Sequence, residues 1–223
     1  MNVLFIGNSF TFFYDVPSLF KSLCENDGRS VDVESVTCGG WTLERHASID
    51  DKCGKMVEEK LKSGKKYDVV ILQEYSNRPI ENYGSFLDGC KALAEKIRAN
   101  NKSARIILYE TWGYGDEFAY LKEKAWKSEA MFERLEKAYA DAAAEINAEV
   151  SHAGRGMVSL YRTTDIDPYD KDRKHQSYCG SYLASVTHFF KVFADAGRKN
   201  VRFDGECTPE QKKAIVDIAF NCR

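Results

Sequence analysis

Short apolar runs separated by longer stretches of helical periodicity organise this chain. Val3-Leu4-Phe5-Ile6 is apolar at every position, and so is Val69-Val70-Ile71-Leu72 behind Asp68. Such runs predict short strands buried on both faces, as in the middle of a parallel sheet. Arg105-Ile106-Ile107-Leu108-Tyr109 reads as a further strand of the same kind. Val31-Asp32-Val33-Glu34-Ser35-Val36 alternates apolar with polar, which predicts a strand with one wetter face at the sheet edge. A fifth strand is placed at 149–153, ended by Gly154, with a short helix at 157–161; the pattern also allows these two to be exchanged.

Between the strands the period lengthens to that of helices. Helices are expected from Pro17 to near Asp27-Gly28, from Leu43 to about Ser63, and from Ser85 to about Asn100. A long one follows from Phe118 to about Ala148, with a possible break near Lys127-Ser128, and another from Ser177 to Ala196. Thr208-Pro209-Glu210 is a capped start to the last. Strand and helix alternate, which is the signature of an α/β fold built on a parallel sheet.

Chemistry concentrates where strands end. Gly7-Asn8-Ser9 directly follows the first apolar run, and ligands of open α/β sheets bind outside the carboxyl ends of the strands. Ser9 is therefore the candidate nucleophile, although a lone Asn-Ser after a strand is usually only a turn that caps a helix. Far downstream, the polar stretch Asp165 to His175 reads as a loop, and Asp172 stands three residues before His175. Ser9, Asp172 and His175 supply the parts of a triad in the order Ser, Asp, His, with Asp170 as the fallback acid.

These residues resemble the SGNH hydrolases, also called GDSL-type esterases and lipases, in the branch whose first block reads Phe-Ile-Gly-Asn-Ser-Phe-Thr. Gly7-Asn8-Ser9, Gly39-Gly40-Trp41-Thr42, Leu72-Gln73-Glu74 and Asp172-x-x-His175-x-Ser177 carry the resemblance, from Leu4 to about Phe190. It implies a three-layer α/β/α sandwich around a five-stranded parallel sheet of order 2-1-3-4-5. It also implies an oxyanion hole made by the Ser9 and Gly40 N–H groups and a side-chain amide. Most of the superfamily places an Asn in the third block. Here the residue is Gln73, taken as the donor on a longer arm, with Asn77 as the alternative. Locally, Gly39-Gly40 reads equally well as a tight turn into a helix capped by Thr42.

Asn8, Phe10, Tyr75, Asn77, Trp112 and Tyr114 are assigned to the substrate-binding surface. Trp112 and Tyr114, in the loop after a central strand, could stack on a substrate ring. Phe10, Phe12, Phe13 and Tyr14 either line a pocket or belong to the core, with core expected for at least half of them and no individual assignment. The resemblance implies a serine esterase that removes a small acyl group, an acetylated sugar being the expected substrate, without metal or cofactor. Two rivals stay open: acyl transfer to another acceptor by the same residues, and a non-catalytic carbohydrate-binding relic of the fold.

Composition narrows the picture further. At 223 residues, 43% hydrophobic and 30% charged, the chain is expected to fold as one globular domain, 1–223. A net charge of -2, with lysine runs interleaved with glutamate, argues against a nucleic-acid or anionic-membrane partner. Met1-Asn2 runs straight into the first strand, so no signal peptide is expected and the cytoplasm is the expected compartment. The seven cysteines show no metal-ligand spacing and are expected to be reduced thiols. His46, His152 and His188 are expected to be structural. Oligomeric state is left open.

Overall fold

The computed structural model describes residues 1–223. Five strands form one parallel sheet in the order β2-β1-β3-β4-β5: β1 Asn2–Gly7, β2 Asp32–Thr37, β3 Val69–Leu72, β4 Arg105–Tyr109 and β5 Glu149–Ser151. The apolar runs lie where burial on both faces demands them. Val3 to Ile6 and Val69 to Leu72 are at most 1% exposed in the two central strands, while the alternating β2 sits at the edge.

The chain first turns through α1 (Ser9–Phe12) into α2 (Val16–Asn26). After β2 come α3 (Leu43–Ala47) and α4 (Lys52–Lys62); after β3, α5 (Arg78–Glu81) and α6 (Tyr83–Asn100). Next are α7 (Ala119–Lys124) and α8 (Ser128–Glu145) between β4 and β5, then α9 (Ala153–Thr163), α10 (Tyr178–Val192) and α11 (Pro209–Asn221). α10 packs on α2, α9 and α11, while α6 packs on α3, α4, α5 and α8, which makes the helical layers on either side of the sheet. This is the three-layer α/β/α architecture.

Several boundaries differ from the sequence reading. The helix expected over 43–63 is broken at Ser48–Asp51, where Ser48 turns extended, and Gly54 lets α4 approach the Ser48 and Arg45 carbonyls too closely for any side chain. The 118–148 stretch does break where the sequence allowed, just before Ser128, into two helices separated at Ala125 in the left-handed region (φ 53°). Gly154 does not end the fifth strand; it lies inside α9, where a Cβ would come within 2.9 Å of the Phe132 ring.

The cysteines also depart from expectation. Cys38 and Cys53 form a disulfide across a Cα–Cα span of 6.4 Å, within the range such bonds require. It pins the end of β2 to α4 beside Gly39-Gly40. The other five cysteines are free thiols.

Candidate active site

The end of β1 is a crowded turn. Asn8 caps α1 by accepting the Phe10 N–H at 3.2 Å, and its amide donates to the Trp41 carbonyl at 2.9 Å. A Cβ on Gly7 would fall 2.8 Å from Gln73 Oε1, so only glycine lets the turn sit this close to β3. His46 ties down the same point, with Nε2 donating to the Gly7 carbonyl at 2.9 Å. Ser9 is thereby held at the carboxyl end of the sheet, partly open to solvent.

The 165–177 loop folds back onto this turn. A bridge between Tyr169 and Gln176 closes it, and Trp112 Nε1 donates to the Lys174 carbonyl at 3.1 Å. Arg173, at φ 59°, ties Glu117 and Asp167 together and donates to the Tyr161 hydroxyl. Buried Gln176 then joins loop to turn: its amide donates to the Phe10 and Phe13 carbonyls at 3.0 and 3.4 Å. Sequence reasoning missed Gln176, which stood beside His175 but carries no chemistry of its own.

The result is a continuous hydrogen-bonded row. His175 Nε2 lies 2.9 Å from Ser9 Oγ, and His175 Nδ1 lies 2.5 Å from Asp172 Oδ2. Asp172 Oδ1 accepts the backbone N–H groups of Lys174 and His175. Partial burial pushes the Asp172 carboxyl up, but the hydrogen bonds from the His175 ring and those two amides outweigh it, holding the group below its ordinary value. Asp170 takes no part in the row; its carboxylate accepts from Lys171 N and the Tyr14 hydroxyl. Asp170 is thus set aside as the fallback acid.

Gln73 is engaged with the turn after β1. It is fully buried, its Oε1 accepts Asn8 N at 2.8 Å and Thr11 Oγ1 at 3.0 Å, and its amide donates to the Glu74 carbonyl. One of its two amide N–H groups is thus taken by the Glu74 carbonyl. From the end of β3 the side chain so braces the turn that carries Ser9. Asn77 starts α5 with its carbonyl accepting from Ile80 and Glu81, and it has no hydrogen bond to Ser9, Gly40 or His175. Glu74 instead braces the glycine turn, both carboxylate oxygens accepting Leu43 N at 3.2–3.3 Å; burial raises its carboxyl to about 7 against the pull of the Tyr75 and Leu43 amides.

Two backbone donors in the turns after β1 and β2 are left over. The Ser9 and Gly40 N–H groups have no protein acceptor, and Gly40 is exposed with φ +72°, a conformation glycine adopts without strain. The Asn8–Trp41 bond keeps these two turns together.

The expected substrate surface divides. Phe10 and Trp112 are stacked at 4.2 Å and at most 1% exposed, and Tyr114 is buried with its hydroxyl 2.6 Å from Ser76 Oγ. These three are core, and Asn8 is a buried cap. Apolar rings at the sheet end are worth more to the fold inside than at the surface. Tyr75 is half-buried beside the loop, with Lys174 Nζ over its ring and donating to its hydroxyl at 3.3 Å. The exposed rings are Phe12 and Tyr14, which the sequence left undivided.

The acidic cluster that follows β4 has structural partners. Glu110, Glu136 and His152 bring possible ligand atoms within 4.8 Å of one another, but Glu110 binds His152 Nδ1 and Arg155 N, and Glu136 binds the Arg155 guanidinium. His188 is wholly buried with Nδ1 on Ser151 Oγ. No helix is long and apolar enough to cross a membrane.

No family model and no curated protein matches the chain. Solved structures do. A protein from Slackia heliotrinireducens, provisionally described as an SGNH hydrolase, is 25% identical with TM-score 0.74 over 86% of this chain and 98% of its own. A DUF4886 family protein from Bacteroides uniformis is 24% identical with TM-score 0.85, over 99% of this chain and 93% of its own. A variant of an acetylxylan esterase from Geobacillus stearothermophilus shares the fold at TM-score 0.60 and 16% identity, over 86% and 94% of the two chains.

Proposed function

We propose that this chain, which has the fold of the SGNH hydrolases, is a serine esterase that removes a short acyl group from a hydroxyl-rich alcohol, an acetylated carbohydrate first among them. The observation that carries the reading is the row Ser9 Oγ–His175 Nε2 and His175 Nδ1–Asp172 Oδ2. A serine hydroxyl is a weak nucleophile until a positioned base takes its proton as it attacks. His175 Nε2 is that base. Asp172 fixes the tautomer that leaves Nε2 free and stabilises the imidazolium that forms.

As Ser9 Oγ bonds to the ester carbon, the carbonyl oxygen becomes an oxyanion beside the free Ser9 and Gly40 N–H groups. Each such donor contributes roughly two to three orders of magnitude in rate. His175 returns its proton to the departing alkoxide, the C–O bond breaks, and the acyl group stays on Ser9. Water, deprotonated by the same imidazole, then releases the acid.

The test is hydrolysis of a chromogenic acetyl ester together with fluorophosphonate labelling. Ser9→Ala should lower kcat by roughly 10⁴–10⁶-fold, as for other serine hydrolases, and abolish the label with the fold unchanged. Undiminished turnover by Ser9→Ala would overturn the reading. Capture of the acyl group by added sugar in preference to water would make the protein a transferase. An unreactive Ser9 in the wild type would favour the non-catalytic relic.

A further inference from the structure

Large apolar side chains left in water need a reason when they gather around one point and the backbone is strained to hold them there. Phe12 is 43% exposed and Tyr14 is 45% exposed, three and five residues after Ser9. Phe13, between them, stacks on Phe12 at 5.6 Å with planes 21° apart, and its other neighbour is the His175 imidazole at 4.4 Å. The tip of the Phe12 ring reaches 3.7 Å from where a side chain on Gly39 would begin, next to half-exposed Trp41. The rings therefore form a rim running from His175 to the glycine turn.

The rim is held rigidly. Tyr14 and Asp15 are both in the left-handed region (φ 53° and 52°), which disfavours residues other than glycine. The surroundings enforce it: the Phe13 carbonyl accepts from Gln176 and Ser181, the Phe10 carbonyl accepts from Tyr109 and Gln176, and Asp15 caps α2 through Ser18 N. Trp41 is fixed from its own side by the Arg45 guanidinium at 3.9 Å. Strain maintained by buried anchors, with exposed rings as its product, preorganises a surface for a ligand.

Its position relative to the reacting atoms says which part of the ester it meets. His175 Nε2 must deliver a proton to the departing alkoxide, so the alcohol lies on the His175 side of Ser9. Phe13 covers that side. An alcohol that is long and purely apolar would meet charge and hydroxyl at the margin: Asp170 with the Tyr14 hydroxyl, and Lys174 with the Tyr75 hydroxyl. Flat rings edged by hydrogen-bonding groups fit a pyranose, which offers a C–H face and a belt of hydroxyls.

We propose that Phe12, Phe13 and Trp41, with Tyr14 at the margin, are the subsite for the sugar of the leaving alcohol, and that stacking on Phe12 selects a carbohydrate ester over a small alkyl ester. The proposal rests on the esterase reading for its orientation, and its test has an arm that does not require turnover. In the first arm, acetylated xylobiose is titrated by intrinsic fluorescence into Ser9→Ala protein carrying Phe12→Ala, Phe12→Leu or Phe12→Trp. Stacking predicts that Ala and Leu weaken binding about tenfold and that Trp preserves it. In the second arm, kcat/KM for acetylated xylobiose is divided by kcat/KM for methyl acetate. That ratio should fall about tenfold in Phe12→Ala and Phe12→Leu, through KM.

Phe12 is exposed, so these variants should keep the wild-type melting temperature. Equal binding by the Ala, Leu and wild-type side chains, or no saturable binding by the Ser9→Ala protein, overturns the subsite. A Leu variant that binds like wild type would reduce it to an apolar contact without sugar-face recognition, and overturns it as stated. Failure of the wild type to hydrolyse either ester removes the esterase reading alone, because the titration still decides the subsite.

Discussion

Gln73 shows how one buried amide can hold a turn. From the end of β3 its amide passes under the turn after β1 and becomes the acceptor for Asn8 N and Thr11 Oγ1. Gln73→Ala would leave both buried donors unpartnered, a cost of about 1–3 kcal/mol per group. The expected outcome is a melting temperature lower by several degrees, with kcat falling only as far as the turn loosens. A 10²-fold or larger loss of kcat at unchanged melting temperature would instead identify Gln73 as an oxyanion donor. Phe10 and Phe12 make a related point: they are two residues apart on one helical turn, yet one is stacked in the core and the other stands in water.

At the scale of elements, the segment from β2 to α4 carries the proposed oxyanion donor Gly40 and is braced twice. Glu74 holds Leu43 N from the sheet side, and the Cys38–Cys53 bond closes a 15-residue separation from the other. A loop of that length is worth about 3 kcal/mol in the chain-entropy account. Protein prepared in air and denatured without reductant should titrate five thiols, rising to seven after reduction. Reduction of the folded protein should lower its melting temperature by roughly 6–12 °C. Seven thiols before reduction would show that the pair does not form.

For the whole molecule, the carboxyl edge of one sheet gathers Ser9, the glycine turn and Gln73-Glu74 from β1, β2 and β3, while β4 and β5 are buttressed by buried His188. Burial lowers His188 to about 3 and His46 to about 4, against 6.5 ordinarily. As pH falls below about 6.5 the unfolded chain takes up protons that these folded imidazoles refuse. Each one then costs the fold up to about 1.4 kcal/mol per pH unit until its folded value is reached. Glu74 acts with the opposite sign. Its folded value of about 7 lies above the ordinary 4.5, so its contribution is present below pH 4.5 and is lost as pH rises towards 7. In urea titrations between pH 4.5 and 6, His188→Gln should flatten the dependence of stability on pH by about 1 kcal/mol per unit, and Glu74→Gln should steepen it. Wild-type slopes in both variants would contradict these assignments.

What the sequence determined was whatever local periodicity and block order encode: unbroken apolar runs as central strands, alternating β2 as an edge, and the Thr208-Pro209 start of α11. Strand ends and the polar loop also gave the candidates Ser9, Asp172 and His175, which the fold places in one hydrogen-bonded row across 166 residues, and the family resemblance added the strand order. Tertiary structure alone decided the rest, because each item turns on which atoms meet across long separations. Gln73 faces inward because Asn8 N and Thr11 Oγ1 need an acceptor there. Cys38 finds Cys53 because α4 returns along β2. Of four aromatic residues following Ser9, packing against Trp112 claims Phe10, while the left-handed turn at Tyr14 leaves Phe12 and Tyr14 in water. Periodicity records how much of a side chain is apolar, and only the packed neighbours determine which side of it remains to bind a ligand.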